Sequence, residues 1–325
     1  MLVVNPNICI DHTIELPELL PGHVQRPRTG VDTLGGKGVN VARVARRYGE
    51  RPIVLTFLPR DDRARLLHLA RLEDADLQGV EVDGTARGAT IVLEDSGRVT
   101  VLNEPGALVD DLLWRTLLVR IRELGATERT VVCSGSLPPG SPPDAYARVV
   151  ELSHEMGLTC VVDSAGDVLA RALAAGADVI SPNLAEAEAL LGQSHPEGVD
   201  PTGPDVESRA GAAVRELRAR GARHVIVSAG SHGAAYDVGD EVGWSSAPLV
   251  RVVNPIGAGD SLVGGLVRAM EVGVTWEDSV RIALATASAS CEDPLAGGVD
   301  PARVDELVVA LEPARRLSMG EAVSR

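Results

Sequence analysis

The chain has little of what several functional classes require. Among its 325 residues there is one lysine, at position 37, and the rest of its 31 Lys plus Arg are arginine. Asp plus Glu number 46, so the net charge is −15 and the isoelectric point lies near 4.9. A nucleic-acid surface needs clustered Lys and Arg against phosphates, and this balance excludes one. No apolar run approaches the roughly 18 to 20 residues that a membrane helix needs, and the residues after Met1, LVVN, carry no basic leader. The expectation is a cytoplasmic protein with neither membrane nor nucleic acid as partner. Cys9, Cys133, Cys160 and Cys291 lack C-x-x-C spacing, which leaves no support for a zinc site or a disulfide framework. Two phosphate-binding signatures are missing as well: no G-K-[ST] and no G-x-G-x-x-G occurs.

What is present is a rhythm. Short β-branched runs alternate with stretches of helical period: RTVVCSG, AYARVVELSHEMG, LTCVVDS, DVLARALAAG, ADVISPN, EAEALLG, RAGAAVRELRARG and RHVIVSAG. This alternation predicts an α/β fold in which a mostly parallel sheet is flanked by helices, with ligands at the carboxyl ends of the strands. LVRVVN, 249–254, reads as one more strand. Two stretches depart from the rhythm, 8–34 and 86–106. The second reads as a hairpin, ATIVL and VTVLN turning at Asp95, Ser96 and Gly97. Together they predict a small β lid, from about 10–33 and 86–104, inserted in a single domain spanning 1–325. The Pro-, Gly- and Asp-rich segment 194–209 reads as a surface loop.

Two glycine clusters carry the chemistry. GAGD, 257–260, precedes the helical run SLVGGLVRAMEVG, and glycines at such a turn let successive backbone N–H groups converge on an anion at the positive end of a helix. That suits a transferring phosphoryl group, with Asp260 in the first turn as general base. Taken alone, GAGD equally describes an Asp N-cap after a tight turn. GGKGVNVA, 35–42, opens a second helix, and the only lysine stands within it, where its neighbours let an anion approach a compact ammonium.

NPNICID (5–11), GGKGVNVA, SGSLPPG (134–140), VDSAG (162–166), SPNLAE (181–186), VSAGSHG (227–233) and VNPIGAGDS (253–261) occur in the order seen in ribokinase-like, or PfkB, carbohydrate kinases. The resemblance runs from about residue 2 to 311, and NEPG (103–106) and GSLPPG are similar to the 1-phosphofructokinase and tagatose-6-phosphate kinase branch. It implies a three-layer α/β/α core with a β lid, and transfer of the ATP γ-phosphate to a hydroxyl of a ketohexose monophosphate. By the resemblance Asp260 is the base, with Gly257, Ala258 and Gly259 as the anion hole. Asp11, Gly36, Lys37, Asn40 and Arg87 bind the sugar phosphate, Arg87 being apt for a bidentate grip on phosphate. Ser228, Gly230, Gly233 and Asn183 bind nucleotide, and Glu186 holds Mg2+ through water. The three-residue spacing of Asn183 and Glu186 predicts both on one helical face. An apolar lid face predicts a homodimer through the lid.

The chain also departs from the family pattern. Ala89 stands where the branch has Asn, Ser181 where it has Lys, and FLPRDDRARLL (57–67) replaces a glycine-rich turn. These departures leave a second reading open, a kinase for an unphosphorylated sugar or nucleoside, and a third, a sugar-phosphate-binding protein without turnover.

Overall fold

The computed structural model describes residues 1–193, 203 and 205–317. Its main sheet has ten strands among those residues. From one edge they run Asp76–Val82, Ile53–Pro59, Leu2–Val4, Thr130–Ser134, Thr159–Asp163, Val179–Ile180 and His224–Ser228, all parallel. Gly233–Val238, Glu241–Ser246 and Arg315–Arg316 then continue it antiparallel.

The central strands are apolar through their middles because both faces of the sheet are covered. Leu2 and Val4, Val131 and Cys133, and Cys160 and Val162 look into one core. The intervening Val3, Val132 and Val161 look into the other. The first core receives Trp114, Leu117 and Ile121 of the helix Asp111–Leu124, Tyr146 and Val149 of Ala145–Glu155, and Val214 and Leu217 of Val206–Ala219. The second receives Val39 and Val41 of Lys37–Arg47, Leu262, Val263 and Leu266 of Ala258–Glu271, and Val280 and Leu284 of Trp276–Ser290. With only three Trp, three Tyr and one Phe in the chain, three of the seven meet in one place. Trp114 stands edge-on to Phe57 at 5.3 Å and to Tyr146 at 6.3 Å. Truncating such a buried indole to Ala costs ~3–5 kcal/mol, so the first core is anchored on that side of the sheet.

A separate four-stranded sheet stands apart, in the order Thr29–Gly35, Cys9–Leu16, Arg87–Glu94, Val99–Asn103. Its middle pair is parallel and the outer two are antiparallel, with Asp11 in register with both Thr33 and Ala89. The hairpin turn closes through Gly97 N–H to the Glu94 carbonyl at 2.9 Å. The Cys9–Leu16 strand leaves the main sheet only four residues after Val4. That short step hangs the small sheet over the carboxyl ends of the parallel strands.

Two local expectations change. LVRVVN is not a strand: Leu249, Val252 and Val253 are exposed, and the N–H groups of Val253 and Asn254 bond to the Cys291 carbonyl instead of to a sheet neighbour. Its alternating β-branched residues suit a strand, but the antiparallel Glu241–Ser246 and Arg315–Arg316 pair already extends the sheet there. The expected surface loop 194–209 lies largely outside the described residues, and its end, from Val206, is already helix.

Candidate active site

Asp260 enters the site from the first turn of Ala258–Glu271. The residue capping that helix is Gly257, not an aspartate, and it sits in the left-handed region at φ 79°. A Cβ there would stand 3.1 Å from the Ala296 Cβ and 3.3 Å from the Asn40 Nδ2, so both conformation and space call for glycine. With the cap made by backbone, the Asp260 carboxylate turns away from its own helix. Its Oδ2 accepts from Asn40 Nδ2 at 2.7 Å, across to the helix Lys37–Arg47. Asp260 is buried, and that burial, with Asp163 nearby, pushes its pKa up to about 7; Lys37 and the Asn40 donor pull the other way.

Lys37 is the first residue of its own helix, after Gly36, whose φ of 117° brings the backbone against the buried Asn5 side chain. Its Nζ lies 3.6 Å from the Asp163 carboxylate, which raises the ammonium pKa. Asp163 ends a core strand, is itself buried, and accepts from Ser134 Oγ at 3.1 Å. Asp11, on the lid strand, accepts from Cys9 Sγ at 3.0 Å, and burial raises its pKa. Arg87 donates from Nε to the Asn7 carbonyl at 3.1 Å, and Asn7 Nδ2 in turn donates to Ser136 Oγ at 3.2 Å.

These groups line one cavity of about 480 Å³, which gathers Asp11, Gly36, Lys37, Asn40, Arg87 and Gly257 to Asp260. Its lid wall is Ala89, Ile91, Val101 and Asn103; its core wall adds Asn5, Asn7, Gly135 and Ser136. A second cavity of about 310 Å³ lies behind the same turn and takes Ser228, Gly230 and Gly233, with Leu249, Val250, Val252 and Leu284. Pro255, Ala258 and Gly259 line both, so the turn is the wall the two cavities share.

Asn183 and Glu186 line neither cavity. They do not share a helical face: Asn183 caps the helix Leu184–Leu190, its Oδ1 accepting from Glu186 N–H at 2.9 Å while Glu186 Oε2 accepts from Asn183 N–H at 3.0 Å. The spacing that suggested a helical pair is that of a capping box. The pair still lies beside the second cavity, because Asn183 bridges to Ser228, which lines it. Among the described residues no cluster of three or more His, Cys, Asp or Glu forms a metal cage. The donor set instead suits an ion carried by phosphates and water, with the Glu186 carboxylate held near Lys37 by the box.

Three residues given no role from the sequence are also part of the site: Asn5, Asn7 and Asp163. Asp163 had a usable signal, a carboxylate in VDSAG at the end of a predicted strand. Asn5 and Asn7 lie in the NPNICID motif, but their contacts, Asn5 with Gly38 N–H and Asn7 with Arg87 and Ser136, are long-range and invisible in the local pattern.

This geometry is that of a two-substrate kinase cleft, and the chain belongs to the pfkB family of carbohydrate kinases, whose model matches residues 4–303. Among curated proteins it is similar to the 1-phosphofructokinase of Rhodobacter capsulatus, 32% identical over 284 residues, 87% of each chain. The 1-phosphofructokinase of Haloferax volcanii is 33% identical over 295 residues, covering 89% of this chain and 90% of that one. Among solved structures, phosphofructokinase-2 from Escherichia coli in complex with potassium superposes with a TM-score of 0.84 at 26% identity, over 95% of this chain and 98% of that one. The α/β core with a small β lid is therefore the architecture the resemblance implied. No helix among the described residues is long and apolar enough to cross a membrane.

Proposed function

We propose that the protein transfers the γ-phosphoryl group of ATP to a hydroxyl of a ketohexose monophosphate, as a 1-phosphofructokinase-like or tagatose-6-phosphate kinase-like enzyme. The observation that carries this reading is the pair of cavities meeting at the Gly257–Gly259 turn, with Asp260 on the sugar side. The substrate hydroxyl oxygen forms a bond to the γ-phosphorus, the bond to the bridging oxygen breaks, ADP leaves, and the hydroxyl proton passes to Asp260. A carboxylate titrating near 7 is matched to that task at neutral pH. The backbone N–H groups of Gly257 and Gly259, at the positive end of a 14-residue helix, would meet the charge that develops on the transferring group, while Ala258 N–H is engaged by the Pro255 carbonyl at 3.3 Å and would have to turn from it to join them. Asp11 accepts from the sugar hydroxyls, while Lys37, Arg87, Gly36 and Asn40 hold the sugar phosphate. Ser228, Gly230 and Gly233 cradle the nucleotide beside Leu249 and Val252. Glu186 with Asn183 would hold the water shell of a Mg2+ ion, which when bound would offset the charge of the nucleotide phosphates.

A homodimer through the lid is part of the proposal, since Val31 and Leu102 of the small sheet are exposed. So is a cytoplasmic setting, which suits an ATP-dependent enzyme with four free cysteines.

The apolar lid wall of Ala89, Ile91 and Val101 favours a second reading, a free sugar or a nucleoside as acceptor. An ADP-release assay separates the two when run with fructose 1-phosphate, fructose 6-phosphate, tagatose 6-phosphate, free fructose, ribose and adenosine. Turnover on a ketohexose phosphate, with kcat/KM at least ~100-fold above the others, is expected. Turnover confined to free sugars or nucleosides overturns the phosphate reading, and silence with all six overturns the kinase.

A further inference from the structure

Asn40 gives Asp260 its only side-chain hydrogen bond among the described residues, and an amide can present either end. Turned by half a rotation, Asn40 would set its oxygen against the carboxylate. What prevents this lies one helical turn further on. Arg43 is 2% exposed, deep between the helix and the base of the lid. Its Nη1 donates to Asn40 Oδ1 at 2.6 Å and to the Ala296 carbonyl. Its Nη2 donates to the Leu34 carbonyl at 2.8 Å and to Glu73 Oε2 at 2.7 Å, and its Nε to the same Glu73 oxygen at 3.1 Å. All the donors of the guanidinium are thereby used. Because a guanidinium has no acceptor, only the oxygen of Asn40 can face it, and the NH2 group must face Asp260. A lysine has three donors and no planar fork, and cannot reach this set.

Glu73 completes the arrangement. It caps the helix Arg63–Leu72, built from the segment that replaces the family's glycine-rich turn, and its Oε1 accepts from Leu34 N–H at 2.8 Å. Leu34 is thus held at both its N–H and its C=O, at the end of the lid strand Thr29–Gly35. The Ala296 carbonyl belongs to the loop packed against Gly257.

We propose that Arg43, held by Glu73, is a positioning residue that fixes the amide of Asn40 and through it the carboxylate of Asp260, and that it ties this alignment to the base of the lid. The inference rests on Asp260 being the base. The charged groups that reach Asp260 are Asp163 and Asp11, which raise its pKa, and Lys37, which lowers it. Arg43 also acts on Asp11, lowering its pKa.

The test is Arg43→Met, Glu73→Ala and Glu73→Gln in the full chain, each checked for cooperative melting and for ATP binding by calorimetry. In Arg43→Met, kcat falls ~10–100-fold, as expected for a misaligned reacting group, and the sugar-phosphate KM rises by less than kcat falls, since Asn40 also lines the sugar cavity. The acid limb of kcat moves to higher pH because the carboxylate loses its aligned donor. Glu73→Gln, which keeps an acceptor for Arg43, retains most of kcat, and Glu73→Ala behaves as Arg43→Met does. Glu73→Ala decides the matter should Arg43→Met not fold. A folded variant with unchanged kcat and acid limb overturns the proposal. So does a fall in kcat with the limb unmoved, which is a structural effect only. Retained turnover in Asp260→Asn would instead remove the base assignment itself.

Discussion

The two cavities that meet at Pro255, Ala258 and Gly259 are built by different means. The cavity around Asp260 is made of polar side chains that bond to their neighbours, Asp260 to Asn40, Lys37 to Asp163, Arg87 to the Asn7 carbonyl. The other cavity is made of glycine backbone and apolar side chains, with Leu249 96% exposed on a segment outside the sheet. Side-chain networks in a low dielectric are strong and intolerant of loss, whereas backbone and surface apolar contacts are weaker and more forgiving. Substitutions on the two sides should therefore separate in size and in the kinetic constant they move.

The largest effect belongs to Asp260→Asn, which should lower kcat ~10²–10⁴-fold while calorimetric ATP binding persists. Near-normal turnover would remove the base. Next come Lys37→Ala and Arg87→Ala. On the proposed roles each would lose a charged hydrogen bond to the sugar phosphate and should raise its KM ~10–100-fold, with the KM for ATP nearly unchanged. An equal rise for both substrates would erase the distinction between the two cavities.

The pH response is the third test. With Asp260 titrating near 7, kcat/KM should fall about tenfold for each pH unit below that value. Stability follows with a definite sign. The folded-state pKa lies above the unfolded value of about 3.9, so the Asp260 contribution is most favourable below pH 4 and is lost as the pH rises towards 7. Asp260→Asn should accordingly be more stable than the unaltered chain at pH 8, by on the order of 4 kcal/mol, with the gap closing towards pH 4 in denaturant titrations. The smallest effect is Leu249→Ala, which should raise the KM for ATP roughly threefold with kcat unchanged. A large kcat effect there would mean that the exposed segment moves in catalysis.

The contrast also decides what could be read in advance. GAGD, GGKG and the lone Lys37 are local patterns, and a glycine-rich turn before a helix declares its purpose within a few residues. The parallel core was likewise legible, because strands buried on both faces have no polar side to confuse the period. LVRVVN was misread because alternation describes a strand but cannot supply it with a neighbour. Arg43 and Glu73 were hidden for another reason. In a chain whose cations are nearly all arginine, one more on a helix reads as solvated, and Glu73 lies thirty residues away. Asp163 stands between these cases, since its place at a strand end was visible but its partner, Lys37, is 126 residues distant.

The central place of Leu2–Val4 has a consequence for how the molecule assembles. This strand pairs with Ile53–Leu55 on one side and Val131–Cys133 on the other. At ~5–20 residues per second of synthesis, its second edge waits on the order of ten seconds for a partner. Throughout that interval an apolar strand has one open edge, the kind of exposure that invites capture by another chain. Nascent chains stalled before residue 130 should therefore depend on holdase chaperones, and those stalled well past it should not.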